Sequence, residues 1–333
     1  MKMTELQTSL TKTENVLMRA GGCAVAILPQ FGGKIASIRI GERELLQTPL
    51  APIATRTRKI AFDACDASGW DECLPSVAAC SVETRAGIVE IPDHGDLWRV
   101  EWMSQGGSRK RGVTGKYTHD SMTLNGKCFS LPLELERGLK LSDEADGWRL
   151  RLEYALRNTG SQTVPWSWSA HPLFAVEEGD RIILPESINS LRLEGSGGGR
   201  LGNGGDPVAW PIAELADGSH VDLSVADAPE SGIGDKLFAG PLSAWENWCA
   251  LERRSAGVRI RVTFDAFATP YLGLWICYGG WPERPGPKQM CVAMEPATAP
   301  VDSLAIEGAW SRVLASGEAY SWNMEVEIEN IES

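Results

Sequence analysis

Polar and apolar residues alternate along several segments of the chain. Residues 148–154 read WRLRLEY, residues 258–264 read VRIRVTF, and residues 320–328 read YSWNMEVEI. Because successive side chains of a β-strand point to opposite faces, each segment can bury one row of side chains and expose the other. One buried and one solvated face is typical of antiparallel sheets. The pattern therefore predicts antiparallel strands at these places, and residues 131–135 continue the same alternation.

Helical patterns are scarce by comparison. Apolar residues at the spacing of an amphipathic helix are hard to find, while 35 Gly and 19 Pro supply many turns. Strands in this number need two stacked sheets or a closed barrel to cover their apolar faces. A length of 333 residues fits one large β domain or two ordinary ones. We predict an all-β protein, a large antiparallel β-sandwich forming a single domain over residues 1–333.

Charge and composition exclude several classes of partner. With 44 acidic against 32 basic residues the formal charge is −12, and the only basic run is the short segment 109–111, so nucleic acid would be repelled. The first twelve residues are polar, and no run of 18 apolar residues occurs. We expect a cytoplasmic protein with no membrane partner. The sequence predicts no oligomeric state.

The eight cysteines form no Cys-x-x-Cys pair and have no histidine at metal-ligand spacing. Buried free thiols are the interpretation we prefer. An even number would permit disulfides in a secreted protein, but the sequence has no signal peptide and no Asn-x-Ser/Thr glycosylation site. A structural zinc site is favoured still less.

The glycine-rich segment 195–205 predicts a surface loop. Gly197, Gly199 and Gly202 match G-x-G-x-x-G, but the residues that follow read NGGDP and cannot open the helix that a dinucleotide site requires. The sequence also lacks a Gly-Lys-Ser/Thr phosphate loop and a Gly-x-Ser-x-Gly elbow. Neither nucleotide binding nor a serine hydrolase is supported.

Two of the four histidines lie in segments that restrict the backbone. His94 stands in IPDHGDLW, residues 91–98, and His171 stands in WSAHPLF, residues 168–174. Proline fixes φ and glycine permits tight turns, so both imidazoles should be held in place. A positioned histidine suits proton transfer. The alternative for each is a structural hydrogen-bonding residue.

Glu295 is the third candidate for chemistry. It ends an apolar run in MCVAMEPATAP, residues 290–300. Partial desolvation there would raise the pKa of the carboxyl and make it a better base. The alternative is a glutamate at a strand end that faces water.

Tryptophan is unusually frequent, with 13 residues against 5 Tyr and 7 Phe. Indole faces stack on the C–H faces of sugar rings, so a sugar is a reasonable ligand, although most of these side chains should pack the core. The tryptophans near the candidate motifs are Trp98, Trp166, Trp168, Trp245, Trp248, Trp275 and Trp281.

Taken together, these motifs resemble the galactose-mutarotase-like superfamily, which includes aldose 1-epimerases and hexose-6-phosphate mutarotases. The resemblance spans nearly the whole chain and implies the superfamily's large β-sandwich, the supersandwich. The matching segments are GGKIASI at 32–38, GWDECLP at 69–75, PDHG at 92–95, HPLF at 171–174, GDKLF at 234–238 and EPAT at 295–298.

The resemblance implies roles for the three candidates. His171 would be the general acid, Glu295 the general base, and His94 would hold the sugar. Glu295 would take the proton of the anomeric hydroxyl while His171, as imidazolium, gives one to the ring oxygen. The ring then opens, and rotation and reclosure exchange the anomers. Neither a metal nor an organic cofactor is called for.

Further substrate-binding residues are also implied. Asp235 corresponds to an aspartate that contacts sugar hydroxyls in the family, and Trp70 and Asp71 lie in a matching segment. An arginine from the first third of the chain is expected in the site, for which Arg58 is our choice and Arg56 the alternative.

The sequence departs from well-defined aldose 1-epimerases at two places. Ala175 follows Phe174 where an Asn is common, and Pro296 follows Glu295 where a Thr-Gln pair is common. Three functions therefore remain open. The leading one is an aldose mutarotase, and the others are a sugar-binding or sensor domain without turnover and a hexose-6-phosphate mutarotase, which would need several basic side chains at its pocket mouth.

Overall fold

The computed structural model describes residues 15–106, 109–111, 117–306 and 312–331. Its strands, numbered in chain order, are β1 Val16–Ala20, β2 Cys23–Leu28, β3 Lys34–Ile40, β4 Arg43–Glu44, β5 Trp70–Cys73, β6 Cys80–Thr84, β7 Gly87–Ile91, β8 Met103–Gly106, β9 Arg109–Arg111, β10 Tyr117–His119, β11 Ser121–Lys127, β12 Leu133–Glu144, β13 Gly147–Asn158, β14 Val164–Trp166, β15 Ser169–Ala175, β16 Arg181–Ile183, β17 Ser190–Ser196, β18 Pro207–Ala209, β19 Ile212–Glu214, β20 His220–Asp222, β21 Ile233–Ala239, β22 Trp248–Arg253, β23 Val258–Phe264, β24 Tyr271–Tyr278, β25 Met290–Ala297, β26 Arg312–Leu314 and β27 Ala319–Asn330.

Helical structure in the described residues is limited to short 3-10 turns. None of them is long and apolar enough to cross a membrane. The turns are Pro29–Phe31, Phe62–Ala64, Leu97–Arg99, Gly197–Gly199 and Pro229–Ser231.

Two large sheets form the body of the protein. The larger has thirteen strands in the order β18-β17-β21-β24-β25-β15-β5-β3-β2-β1-β10-β9, with β4 paired to β3. The smaller has eight strands in the order β16-β22-β23-β27-β13-β12-β11-β8. Apart from β1 with β10, the ladders of both sheets in the described part of the chain are antiparallel. The predicted large antiparallel β-sandwich is confirmed.

The alternating segments form strands, as their pattern predicts. Residues 148–154 lie in β13, where Leu150 and Leu152 are fully buried. On the opposite face, Arg151 keeps 47% of its side chain exposed. Residues 258–264 and 320–328 lie in β23 and β27, which pair with each other. The other edge of β27 pairs with β13.

One continuous hydrophobic core contains residues from both sheets. A shared core supports a single domain over residues 1–333, which stays a prediction. All eight cysteines are free thiols, as expected, and six of them are buried while Cys80 and Cys128 are partly exposed.

A buried charged group crosses the space between the sheets. Arg137 of β12 contacts Glu72 of β5 at 2.8 Å, and both side chains are fully buried. The same carboxylate accepts hydrogen bonds from Tyr154 at 3.0 Å and from the indole of Trp168 at 2.9 Å. Because the carboxylate has several partners, it can be buried at tolerable cost.

Replacing Arg137 should therefore destabilise the fold strongly. Arg137→Met leaves Glu72 without its cation, and we expect the free energy of unfolding to fall by about 3–5 kcal/mol. Arg151→Met removes an exposed arginine that pairs with Glu153 at 3.2 Å, and should cost no more than about 1 kcal/mol. Urea denaturation of both variants measures the loss of unfolding free energy. Equal losses would show that the buried ion pair of Arg137 matters no more to stability than the exposed one of Arg151.

Candidate functional site

Neighbouring strands of the larger sheet bring ionisable side chains into one row. Asp71 of β5 lies opposite His171 of β15. On the other side of β15, the register with β25 places His171 opposite Glu295. Side chains of directly opposed residues lie on the same face of a sheet. Three acid–base groups therefore stand side by side although they are far apart in the sequence.

A cleft of about 340 Å³ lies over part of this row. Its volume and its mixture of aromatic and polar walls suit a small polar ligand. Glu295 is fully buried beneath the cleft floor and is not itself a lining residue, but its carboxylate contacts two residues that are, His171 and Lys236. The residues lining the cleft are Phe62, Asp63, Val77, Ala78, Asp93, His94, His171, Lys236, Trp275, Trp281, Gln289 and Asp302.

His94, His171 and Glu295 meet at the cleft floor. His171 Nε2 lies 3.7 Å from Glu295 Oε1. The rings of His94 and His171 are 5.1 Å apart and nearly perpendicular, at 88°. Within the described residues, Glu295 Oε1 and His171 Nδ1 are buried without a hydrogen-bond partner. A buried acceptor with no partner is costly, so Oε1 is available to a ligand hydroxyl.

The turn that carries His94 has an unusual backbone. His94 has a φ of 57°, and Gly95 has a φ of 67°. A Cβ on Gly95 would lie 2.2 Å from the carbonyl oxygen of Leu74, so only glycine fits there. Positive φ in a residue other than glycine costs energy and is concentrated at functional sites.

Two neighbours orient the His94 ring. Phe62 stacks on it with ring centroids 3.8 Å apart and an angle of 7°. Asp93 Oδ2 lies 2.9 Å from His94 Nδ1. Burial opposes ionisation of Asp93, but the interaction with His94 lowers the pKa of that carboxyl below its usual value. The imidazole is thus held between a ring and a carboxylate.

The surroundings shift the pKa values of the acid and the base in opposite directions. Burial, with smaller effects from His94 and Lys236, lowers the pKa of His171 well below its ordinary value. Burial also raises the pKa of Glu295, although Lys236 opposes this. The lowered pKa of His171 favours the neutral imidazole at neutral pH, whereas the sequence-based expectation is an imidazolium.

Asp235 and Trp70 lie on the opposite face of the sheet from the cleft. Trp70 is fully buried in the hydrophobic core. Asp235 accepts hydrogen bonds from Ser196 at 2.7 Å and from Arg200 at 2.9 Å. Neither side chain lines the cleft.

Asp71 and the two arginines are also outside the cleft lining. Asp71 is buried and contacts Lys34 Nζ at 2.6 Å. Arg56 is buried against Asp66 at 2.7 Å. The guanidinium of Arg58, an exposed residue, lies 4.8 Å from the centre of the Phe129 ring. Asp71 lies in the buried layer beside His171, and Arg58 is not among the lining residues of the cleft.

Several residues of the cleft are not predicted from the sequence. Lys236 stands next to Asp235, the residue chosen from that segment, yet Lys236 is the one that lines the cleft and contacts Glu295. Its position beside Asp235 on a strand could have indicated that one of the two faces the cleft. Phe62 lies in a short 3-10 turn and Asp302 lies outside the strands, so no alternating pattern indicates which way their side chains point. Of the tryptophans singled out, Trp275 and Trp281 do line the cleft.

Comparison with known proteins is informative at the level of structure. No protein-family model and no curated protein matches the sequence. Slr1438 from Synechocystis sp. PCC 6803 superposes with a TM-score of 0.67 at 15% identity, covering 96% of each chain. A candidate aldose 1-epimerase from Escherichia coli K12 gives 0.66 at 17% identity, covering 95% of this chain and 99% of the other.

A galactose mutarotase-like protein from Lactobacillus casei ATCC 334 gives a TM-score of 0.61 at 15% identity, covering 95% of this chain and all of the other. The chain has the galactose-mutarotase-like fold. This confirms the resemblance found in the sequence at the level of the fold. Within that fold, the cleft of this chain lies on the outer face of the larger sheet, with the inter-sheet core behind it.

The His94 turn should tolerate no side chain at Gly95. Gly95→Ala places a methyl group against the Leu74 carbonyl, whereas Gly41→Ala adds one at a φ of 58° with nothing within 4 Å. We expect Gly41→Ala to cost about 1–2 kcal/mol of unfolding free energy and Gly95→Ala to cost clearly more. Urea denaturation compares the two, and equal costs would show that the close approach is unimportant.

Proposed function

We propose that the protein is an aldose 1-epimerase, a mutarotase that interconverts the α and β anomers of a neutral aldose. The observation that carries the proposal is the contact at the cleft floor, where His171 Nε2 lies 3.7 Å from Glu295 Oε1. Glu295 Oε1 has no other partner among the described residues. A carboxylate and an imidazole at this separation can serve the two oxygens that share the anomeric carbon.

The proposed reaction needs one proton acceptor and one proton donor. Glu295 accepts the proton of the anomeric hydroxyl as the bond between C1 and the ring oxygen breaks. His171 donates from a ring N–H to the ring oxygen, which becomes a hydroxyl. The donor form is the imidazolium, which becomes a neutral imidazole, because a neutral imidazole that gave up its N–H would become a strongly basic imidazolate. Burial lowers the pKa of His171, so this imidazolium is a stronger acid than a free one. Rotation about C1–C2 and the reverse transfers close the other anomer, and the protein regains its original protonation state.

The remaining walls of the cleft suit a sugar ring. Trp275 and Trp281 offer aromatic faces to its C–H groups, and Phe62 supports His94 from behind. His94 and Gln289 present polar atoms to hydroxyls. The indole of Trp275 donates to Gln289 at 3.0 Å, which orients that amide.

The charge of the lining favours a neutral sugar over a phosphorylated one. Asp63, Asp93 and Asp302 line the cleft, and Lys236 is the single Lys or Arg among its lining residues. Lys236 is already bound to Glu295 and lies 3.7 Å from Asp302. Neither of the candidate arginines, Arg56 and Arg58, is a lining residue. Among the described residues, the lining therefore has no basic cluster of the kind that a hexose phosphate would require.

A sugar-binding domain without turnover is the second candidate. Its motivation is the loss of the Asn and the Thr-Gln pair that are common in aldose 1-epimerases, where this chain has Ala175 and the pair Pro296 and Ala297. None of these three residues lines the cleft. Pro296 neighbours Glu295 in β25, so its side chain points to the opposite face of the sheet. The replacements therefore leave the acid–base pair in place, which favours the enzyme.

Removing either proton-transfer group should abolish most of the activity. We expect Glu295→Gln and His171→Gln each to slow anomer exchange of α-glucose or α-galactose by about 10²–10⁴-fold. Polarimetry on freshly dissolved sugar measures the rate. The exposed residues His220 and Glu153 provide matched controls, His220→Gln and Glu153→Gln, which should retain full rates. Sugar binding without exchange in the unmodified protein would favour the binding domain.

The rate should also depend on pH in a direction set by Glu295. The base must be ionised, and burial raises its pKa above that of ordinary glutamate. Activity is therefore lost as pH falls through this raised pKa and is present above it. A pH–rate profile whose acidic limb lies at or below the range of ordinary glutamate would contradict Glu295 as the base.

Anionic sugars should be poor substrates because of the aspartates around the cleft. We expect kcat/KM for glucose 6-phosphate or galacturonate to be at least about tenfold below that for glucose at low ionic strength. Raising the salt concentration should bring the two values of kcat/KM closer together, because exposed charges are screened. NMR exchange rates measure kcat/KM for each sugar, and a higher value for glucose 6-phosphate than for glucose would contradict the neutral-sugar proposal.

A further inference from the structure

Lys236 occupies a position that the acid–base pair alone does not require. It is 8% exposed and lies in β21, two strands away from Glu295 in β25. Between them runs β24, where Gly273 lies opposite Glu295. A Cβ on Gly273 would lie 3.1 Å from Glu295 Oε2 and 3.1 Å from Phe238. The missing side chain leaves the space in which Lys236 and Glu295 meet.

The contact involves one carboxylate oxygen and leaves the other free. Lys236 Nζ donates to Glu295 Oε2, and Ser169 Oγ donates to the same oxygen at 3.4 Å. Oε1 has no hydrogen-bond partner among the described residues and faces His171. The carboxyl group is thus fixed through Oε2, and Oε1 is directed to the place where a substrate hydroxyl would bind.

A carboxyl group that is fully buried favours its protonated form, which cannot act as a base. A cation in contact opposes this preference, and Lys236 limits the rise in the pKa of Glu295 that burial causes. Burial opposes the charge of Lys236 as well, but Asp302 and Glu295 raise its pKa above the ordinary value, so it stays protonated. We propose that Lys236 is a positioning residue that keeps Glu295 ionised and reserves Oε1 for proton transfer. The catalytic part of this statement rests on the proposed mutarotase function.

Other ionisable groups near Glu295 cannot take over this role. The pKa of His171 is lowered by burial, which disfavours a positive charge on its ring. Asp302, in the segment after β25, is an acid and acts in the opposite direction. Burial raises the pKa values of the Cys73 and Cys291 thiols, and Glu295 adds to the shift, so both stay uncharged. His94 lowers the pKa of Glu295, but its effect is smaller than that of Lys236.

The direct test is the titration of the Glu295 carboxyl. Protein labelled with 13C at glutamate carboxyls is titrated by NMR, and the Glu295 signal is the one missing from Glu295→Gln. In Lys236→Met, we expect the midpoint to move up by at least about one pH unit. Lys236→Arg, which retains the charge, should stay near the unmodified protein. Lys127→Met removes an exposed lysine of the other sheet and should change nothing.

Lys236→Gln is measured in parallel, in case Lys236→Met does not fold. The glutamine also lacks the charge, but it keeps a hydrogen-bond donor. Equal midpoints in the unmodified protein and the uncharged variants would overturn the proposal. Activity provides a second readout, because the acidic limb of the pH–rate profile should move up with the midpoint and the rate should recover at higher pH. If the unmodified protein exchanges no aldose, the proposed function fails, while the carboxyl titration still decides the role of Lys236.

Discussion

The cross-strand register of β5, β15 and β25 is the constraint on which the site depends. It places Asp71, His171 and Glu295 in one row, and it turns their neighbours in sequence toward the core between the sheets. A shift of one residue would exchange the two faces, bringing Trp70 to the outer surface and the ionisable groups into the core. The apolar face of the sheet therefore fixes the geometry of the polar one, because the register that buries the core also assembles the acid–base row.

Burying this row requires a counter-charge for each ionised group that water no longer reaches. Lys34 contacts Asp71, and Lys236 contacts Glu295, both on the cleft side of the sheet. Arg137 contacts Glu72 on the core side. Such pairs add little net stability compared with apolar packing, since desolvation cancels much of the attraction. Removing one partner of such a pair is instead costly, so each pair fixes the position of its carboxylate: Asp71 and Glu295 beside His171, and Glu72 on the opposite face.

The sequence predicts the strands and the fold well, because period-two alternation and turn residues are local signals. It also singles out His94, His171 and Glu295 as candidates, through their surroundings of proline, glycine and apolar residues and through the resemblance of these segments to a known superfamily, and their roles stay predictions. It fails where adjacent residues differ only in the face they occupy. Asp235 was chosen and Lys236 lines the cleft, and alternation alone does not state which side of the sheet is outward. Phe62 could not be found, because its contact with His94 is made between distant segments.

The opposite pKa shifts of Glu295 and His171 have a meaning for the proposed reaction. A free glutamic acid is a much stronger acid than a free imidazolium, so a proton shared between the two free groups would stay on the imidazole. Burial raises the pKa of Glu295 and lowers that of His171, which brings their proton affinities closer together. Anomer exchange runs through the same chemistry in both directions, and each group must give and take a proton in every turnover. Shifts in these directions oppose the difference between the free groups, and the smaller that difference is, the less either transfer runs uphill.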